Sequence, residues 1–117
     1  MSGTSYDGID VCAMSLDPKI KLLHFASFKY PVKLRKKIAQ VIEHQTLSLQ
    51  DYNELNHQIG VAFAGAINDF ILQQKIARSM ICAVGLSGQT LWHQPKGKYP
   101  FSIQAGDPRI IAEKCEI

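Results

Sequence analysis

Met1-Ser2-Gly3-Thr4-Ser5-Tyr6-Asp7-Gly8-Ile9-Asp10 runs straight into Val11-Cys12-Ala13-Met14, and the reading of this junction decides the fold. The second part is an apolar run of strand length; the first is a polar turn leading into it. Glycines such as Gly3 and Gly8 let the backbone bend sharply and come close to a ligand. Successive amide N–H groups in such a turn cradle anions, and Thr4 and Ser5 add hydroxyl donors. Asp7 and Asp10 would repel a bare phosphate, so they make chemical sense beside one only where a divalent cation joins them to it. Hard cations such as Mg²⁺ take carboxylate, water and phosphate oxygens. The segment therefore suggests a metal–nucleotide site at the start of a strand. The competing reading is an ordinary turn, because Gly, Ser, Thr and Asp serve turns everywhere. It is not a P-loop, since no Gly-Lys-Ser/Thr follows the glycines.

Working outward, Ile9 to Ser15 and Lys21 to Tyr30 read as an antiparallel hairpin joined by the turn Leu16-Asp17-Pro18-Lys19. Pro31 then opens a helix over 32–44, with Leu34, Ile38, Val41 and Ile42 on one face. Thr46 or Ser48 caps a longer helix whose inward face is Tyr52, Leu55, Ile59, Phe63, Ile67, Phe70 and Ile71. Gly60 and Gly65 inside it cost helix stability, which close packing against a neighbour would explain. Met80 to Val84 reads as a short strand ending in the polar turn Gly85-Leu86-Ser87-Gly88-Gln89-Thr90, where an α/β domain places ligands. The stretch from Leu91 to Pro100 reads as irregular and Phe101 to Gln104 as another strand. Asp107 is the expected cap of a last helix with Pro108 at its first position. The expected class is α/β, in the order β-β-α-α-β-β-β-α.

At 117 residues the chain suits one small domain. No stretch approaches the ~20 apolar residues that span a membrane, and Met1 is followed by a polar turn where a signal peptide would carry a basic start and an apolar run. Cys12, Cys82 and Cys115 are widely separated and read as reduced packing residues, which points to the cytoplasm. There is no CxxC pair, and His24, His44, His57 and His93 lack metal-ligand spacing, which argues against structural zinc. The net charge of +3 is mild. Its densest part, Lys33, Arg35, Lys36 and Lys37, lacks interleaved aromatics and reads as a solvated helix face, so no nucleic-acid partner is expected.

Three segments together resemble one family. Met1 to Asp10 is similar to the nucleotide-binding signature of the anhydro-N-acetylmuramic acid kinases. Gly85-Leu86-Ser87-Gly88-Gln89-Thr90-Leu91-Trp92-His93-Gln94-Pro95 resembles their second block, G-S-H-G-Q-T-x-x-H-x-P. Phe101-Ser102-Ile103-Gln104-Ala105-Gly106-Asp107-Pro108 resembles their third, F-x-x-Q-x-G-D-P, and the helical stretch from Leu55 to Ala64 also fits. Each block alone is weak, but their common order is specific.

The resemblance implies a sugar kinase of the actin, heat-shock chaperone and hexokinase superfamily, built from two ribonuclease-H-like domains with ATP and sugar in the cleft between them. It implies opening of the 1,6-anhydro ring of anhydro-N-acetylmuramic acid with water and phosphorylation of O6, in the recycling of bacterial peptidoglycan. On this reading Gly3, Thr4, Ser5, Tyr6, Asp7, Gly8, Ile9 and Asp10 form the phosphate-binding turn for ATP, with Asp7 and Asp10 near Mg²⁺ and its waters. Gln89, Thr90 and His93 lie on or beneath the sugar side, and Asp107 orients a neighbouring loop. Against these stand plainer roles: backbone satisfaction for Gln89 and Thr90, a structural hydrogen bond for His93, a helix cap for Asp107.

The chain also departs from the family pattern. Ser87 stands where the family carries histidine, and Leu86 where it carries serine. Apolar residues usually precede the first block, and members run well over twice this length. The resemblance thus implies an N-terminal portion of a two-domain kinase, inactive alone, with no catalytic residue here and the expected base in the other domain. The alternative is a non-catalytic binding or interaction module. A homodimer or a separate C-terminal half is the expected macromolecular partner.

Overall fold

The structure, a computed structural model, describes residues 5–117; the expectations for Gly3 and Thr4 lie outside the described residues. Strand β1 (Ile9–Ser15) pairs antiparallel with β2 (Lys21–Phe28), Ile9 opposite Phe28 and Ser15 opposite Lys21. The register shifts between Ala13 and Met14, and such an irregularity bends a hairpin. Alternation splits the hairpin into two faces. Ile9 is buried and Val11, Ala13, Ala26 and Phe28 are half-buried, whereas Cys12, Met14, Leu22 and Phe25 stay exposed.

Helix α1 (Val32–His44) follows Pro31 and buries Leu34 and Ile38. Helix α2 (Leu49–Gln73) starts at Ser48, whose hydroxyl oxygen accepts the Asp51 backbone N–H at 3.0 Å, while the hydroxyl proton goes to the Asp51 carboxylate at 2.6 Å. That reciprocal pair satisfies an otherwise orphaned helix-end donor. Leu55, Ile59, Phe63, Ile67, Phe70 and Ile71 are buried as their spacing requires, and Tyr52 is half-buried with its phenol donating to the Gln104 carbonyl at 2.8 Å. Gly60 meets the packing expectation: a Cβ there would lie 2.9 Å from the Asp107 carbonyl oxygen. Gly65 does not, because it faces open space.

The segment Met80–Val84 corrects the sequence reading. Arg78–Met80 is a 3₁₀ turn (η1), and the chain through Ser87 then runs without a ladder partner among the described residues. Strand β3 forms later, at Gln89–Gln94, in the stretch expected to be irregular from Leu91 onward. It pairs antiparallel with β4 (Phe101–Ala105), giving a second two-stranded sheet. Trp92 and Phe101 meet edge to face across this hairpin, ring centres 5.1 Å apart. Helix α3 (Pro108–Cys115) closes the described chain. The α/β class stands, with one strand fewer than expected.

One apolar cluster joins the parts. Ile9 of β1, Tyr30, Leu34 and Ile38, Leu55, Ile59, Phe63, Ile67 and Ile71 of α2, Leu91 of β3, Ala105 of β4, and Ile111 and Cys115 of α3 all belong to it. Cys115 is the packing cysteine; Cys12 and Cys82 are exposed, and all three are free. The Cys115 thiol donates to the Ala64 carbonyl at 3.6 Å, and burial pushes its pKa up. The Arg78 guanidinium donates to the Cys115 carbonyl and, at 2.9 Å, to Asn68 Oδ1, while Asn68 Nδ2 donates to the Lys114 carbonyl at 3.1 Å. These bonds satisfy carbonyls that the end of α3 would otherwise leave open. Among the described residues no helix is long and apolar enough to cross a membrane.

Candidate functional site

Ser5 to Asp10 bring the first signature onto the end of the β1–β2 hairpin. Tyr6 takes a left-handed conformation, φ +43°. A Cβ on Gly8 would lie 2.8 Å from the Phe28 carbonyl oxygen, so the turn rests directly on the end of β2 and requires glycine there. Ser5, Asp7 and Asp10 are exposed, Tyr6 and Gly8 half-buried, and Ile9 buried as the anchor of the turn. Asp10 projects from the exposed face of β1, where its carboxylate accepts the Ser27 hydroxyl of β2. Ser27 escaped the sequence reading; its only signal is its position directly across the ladder from Asp10.

Among the described residues no group of three or more His, Cys, Asp or Glu side chains could hold a metal by itself. The donors at the turn, two carboxylates with a neighbouring hydroxyl, still suit Mg²⁺. That ion is commonly held by one or two carboxylates plus water and substrate phosphates, without an all-protein cage.

The second and third signatures come together at the β3–β4 pair. Gly88 has φ +75°, and a Cβ there would lie 2.9 Å from the Gln104 Cβ. Gln89 is opposite Ala105 and wholly buried; its Oε1 accepts the Tyr30 phenol at 3.0 Å and its Nε2 donates to the Thr90 carbonyl at 3.0 Å. Thr90 is half-buried and His93 exposed, opposite Ser102. Gln89 thus lies beneath this surface, while Thr90 and His93 reach it.

The third signature is held from the side by α2. Asn56 Oδ1 accepts the Gly106 N–H at 2.7 Å and the Asn56 carbonyl accepts the Asp107 N–H at 3.1 Å. Asp107 caps α3, accepting the Arg109 backbone N–H at 2.9 Å, and pairs with the Arg109 guanidinium at 2.8 Å. These bonds to Arg109 hold its carboxyl below the usual carboxylate range. Asp107 caps the helix, as its Asp-Pro context foretold. Asn56 and Tyr30 were not singled out from sequence: Asn56 sits in a helical stretch that matched the family as a whole, and nothing local marks Tyr30 as the partner of a residue 59 positions away.

A mixed α/β chain with a glycine turn ahead of its first hairpin, one carboxylate in that turn and another on β1, is consistent with the actin-like kinase class. The sequence pattern of the anhydro-N-acetylmuramic acid kinases matches residues 1–117. Three curated relatives bear the name anhydro-N-acetylmuramic acid kinase. One, from a gamma-proteobacterium, is 43% identical over 97% of this chain and 31% of its own length. Those from Vibrio vulnificus and Mannheimia succiniciproducens are 39% and 38% identical over 100% of this chain and 32% of their own lengths. The chain belongs to the anhydro-N-acetylmuramic acid kinase family and spans about a third of the length of these relatives.

Proposed function

We propose that these residues form one wall of an ATP-dependent kinase that opens 1,6-anhydro-N-acetylmuramic acid with water and phosphorylates O6. The product is N-acetylmuramic acid 6-phosphate, and the setting is peptidoglycan recycling in the bacterial cytoplasm. The family match across residues 1–117 carries this reading. The donor chemistry of the turn supports it: Asp7 and Asp10 face solvent beside amides and hydroxyls that suit a phosphate. In this assignment Gly3 to Asp10 bind the phosphates of ATP, and Asp7 and Asp10 hold the waters and position of Mg²⁺. Bound Mg²⁺ would supply neutralisation of the charge on the transferring phosphoryl group. Thr90 and His93 face the sugar, and Gln89 supports them from below.

The chain represents a single partial N-terminal domain of a two-domain enzyme in this account. The base that activates water belongs to the domain across the cleft, and one wall alone cannot exclude water from the transferring group. The 117-residue chain with ATP, Mg²⁺ and the anhydro sugar is therefore expected to release no sugar phosphate. A chimera of the Vibrio vulnificus relative carrying these residues in place of its own matching segment is expected to produce it. Turnover by the isolated chain would overturn the one-wall account, and a folded but inactive chimera would overturn the kinase reading. The second result would favour a non-catalytic interaction module, pairing with itself or with a separate C-terminal half. One observation already speaks for that alternative: Met14, Leu22 and Phe25 leave an apolar patch exposed on the outer hairpin face.

A further inference from the structure

Between the two signatures lies a connection that neither contains. Tyr30 follows β2 by two residues, and the end of β2 is where the Phe28 carbonyl meets Gly8 of the phosphate-side turn. From there the phenol reaches Gln89 Oε1 at 3.0 Å, in the buried interior. Tyr30 itself is 4% exposed and its ring stands 6.3 Å from that of Phe63 on α2, so its position is fixed from two sides. Gln89 in turn has its amide plane set, which directs Nε2 to the Thr90 carbonyl.

This last bond falls at an irregularity. Gln89 is opposite Ala105 and Thr90 opposite Gln104, but the next partners are Trp92 and Ile103, leaving Leu91 as an extra residue in β3. A bulge interrupts the ladder and re-aims the side chains beside it. Here Leu91 is turned into the core, and the Thr90 carbonyl is secured by the Gln89 side chain. The Thr90 peptide, beside the bulge from which β3 goes on to His93, is therefore held in part by the Gln89 side chain. The orientation of Gln89 depends on Tyr30.

We propose that Tyr30 is a positioning residue for the sugar side of the site, acting through Gln89 on Thr90 at the β3 bulge. The inference rests on the assignment of Thr90 and His93 to the sugar face. It adds that a residue outside every family signature, attached to the strand that supports the phosphate-side turn, governs how that face is presented. Removing the phenolic hydroxyl leaves the ring packing in place, so the effect falls on geometry more than on the core.

The test is titration of the isotopically labelled 117-residue chain with 1,6-anhydro-N-acetylmuramic acid, followed by amide NMR, for the natural chain, Tyr30→Phe and Ile71→Val. Ile71 is a buried residue near the C-terminal end of α2, eight residues beyond Phe63, and its shortening lowers stability. The natural chain is expected to show shifts at Thr90 to His93. Tyr30→Phe is expected to weaken sugar binding by about tenfold, the scale of one buried hydrogen bond, and to move the Gln89 side-chain amide signals. Ile71→Val is expected to bind within about twofold of the natural chain. Equal affinity in the natural chain and Tyr30→Phe overturns the positioning role and leaves the sugar-face assignment standing. So does a loss in both variants that follows their melting temperatures. A natural chain with a dispersed spectrum and no sugar-dependent shifts overturns the sugar-face assignment, and this inference with it.

Discussion

Gly106→Ala is expected to destabilise the protein by about 3 kcal/mol, from backbone strain and overpacking acting together. Gly106 has φ +129°, a conformation closed to residues with a side chain, so alanine must shift the backbone at the junction of β4 and α3. The shift has nowhere to go. A Cβ at this position would lie 2.8 Å from Phe63 Cε2 and 3.3 Å from Ile59 Cγ2, both on buried side chains of α2. On the other side the Gly106 N–H is held by Asn56 Oδ1 at 2.7 Å. In a domain of this size the melting temperature should fall by roughly 12 °C or more. Thermal unfolding checks this, and a fall under about 2 °C would mean that the turn is not clamped against α2 as described. The same variant should disturb Asp107 and the start of α3, because Asp107 is tied to the same asparagine through its backbone.

Phe63→Ala is expected to cost about 3–5 kcal/mol, the range for deleting a fully buried aromatic side chain. Phe63 is 2% exposed and stands where three parts of the molecule meet: its own helix, the Tyr30 ring and the Gly106 turn. The cavity left behind borders the glycine, so the double variant Gly106→Ala/Phe63→Ala should be less destabilised than the sum of the two, since the new methyl gains room where the ring was. A double-mutant cycle by denaturant unfolding measures this coupling. Strict additivity would show that the two residues do not share the contact that the structure gives them.

These two residues also mark what the sequence could and could not disclose. Phe63 was legible as core, because α2 repeats its apolar residues at helical spacing over about five turns and local period is enough to orient a helix. The caps at Ser48 and Asp107 were legible for a similar reason: the signal sits within three residues of the helix start. Gly106 was legible only as punctuation; that it lies under a ring 43 positions earlier belongs to tertiary structure. The strands show the same boundary. Ile81-Cys82-Ala83-Val84 is apolar enough to read as a strand, but a strand is stabilised across its ladder, and no partner lies beside this run among the described residues. Gln89 and Thr90 read as the end of a polar turn and Leu91 to Gln94 as irregular, because the bulge at Leu91 breaks the period of two and a buried glutamine is acceptable only once a tyrosine from elsewhere reaches it.

The candidate site divides in the same way. The glycine turn, the two aspartates and the ordered blocks could be read directly. Ser27, Tyr30 and Asn56, which bond to them, could not, since each is brought into place by pairing or packing. The departures at Leu86 and Ser87 fall in an exposed stretch before β3, where the Ser87 hydroxyl reaches no farther than the neighbouring Gly88 carbonyl at 3.4 Å. A histidine at position 87 would have reach beyond its own loop; this serine serves local geometry.

The central claim is that the opening turn handles phosphate together with a divalent metal. The most direct measurement is an amide NMR titration of the 117-residue chain with ATP, first with Mg²⁺ and then with excess EDTA, on the natural protein and on Asp10→Asn. The account predicts saturable shifts confined to Gly3 to Asp10 and the facing end of β2, lost when the metal is chelated and strongly weakened in the variant. A well-dispersed spectrum that Mg-ATP leaves unchanged would contradict it.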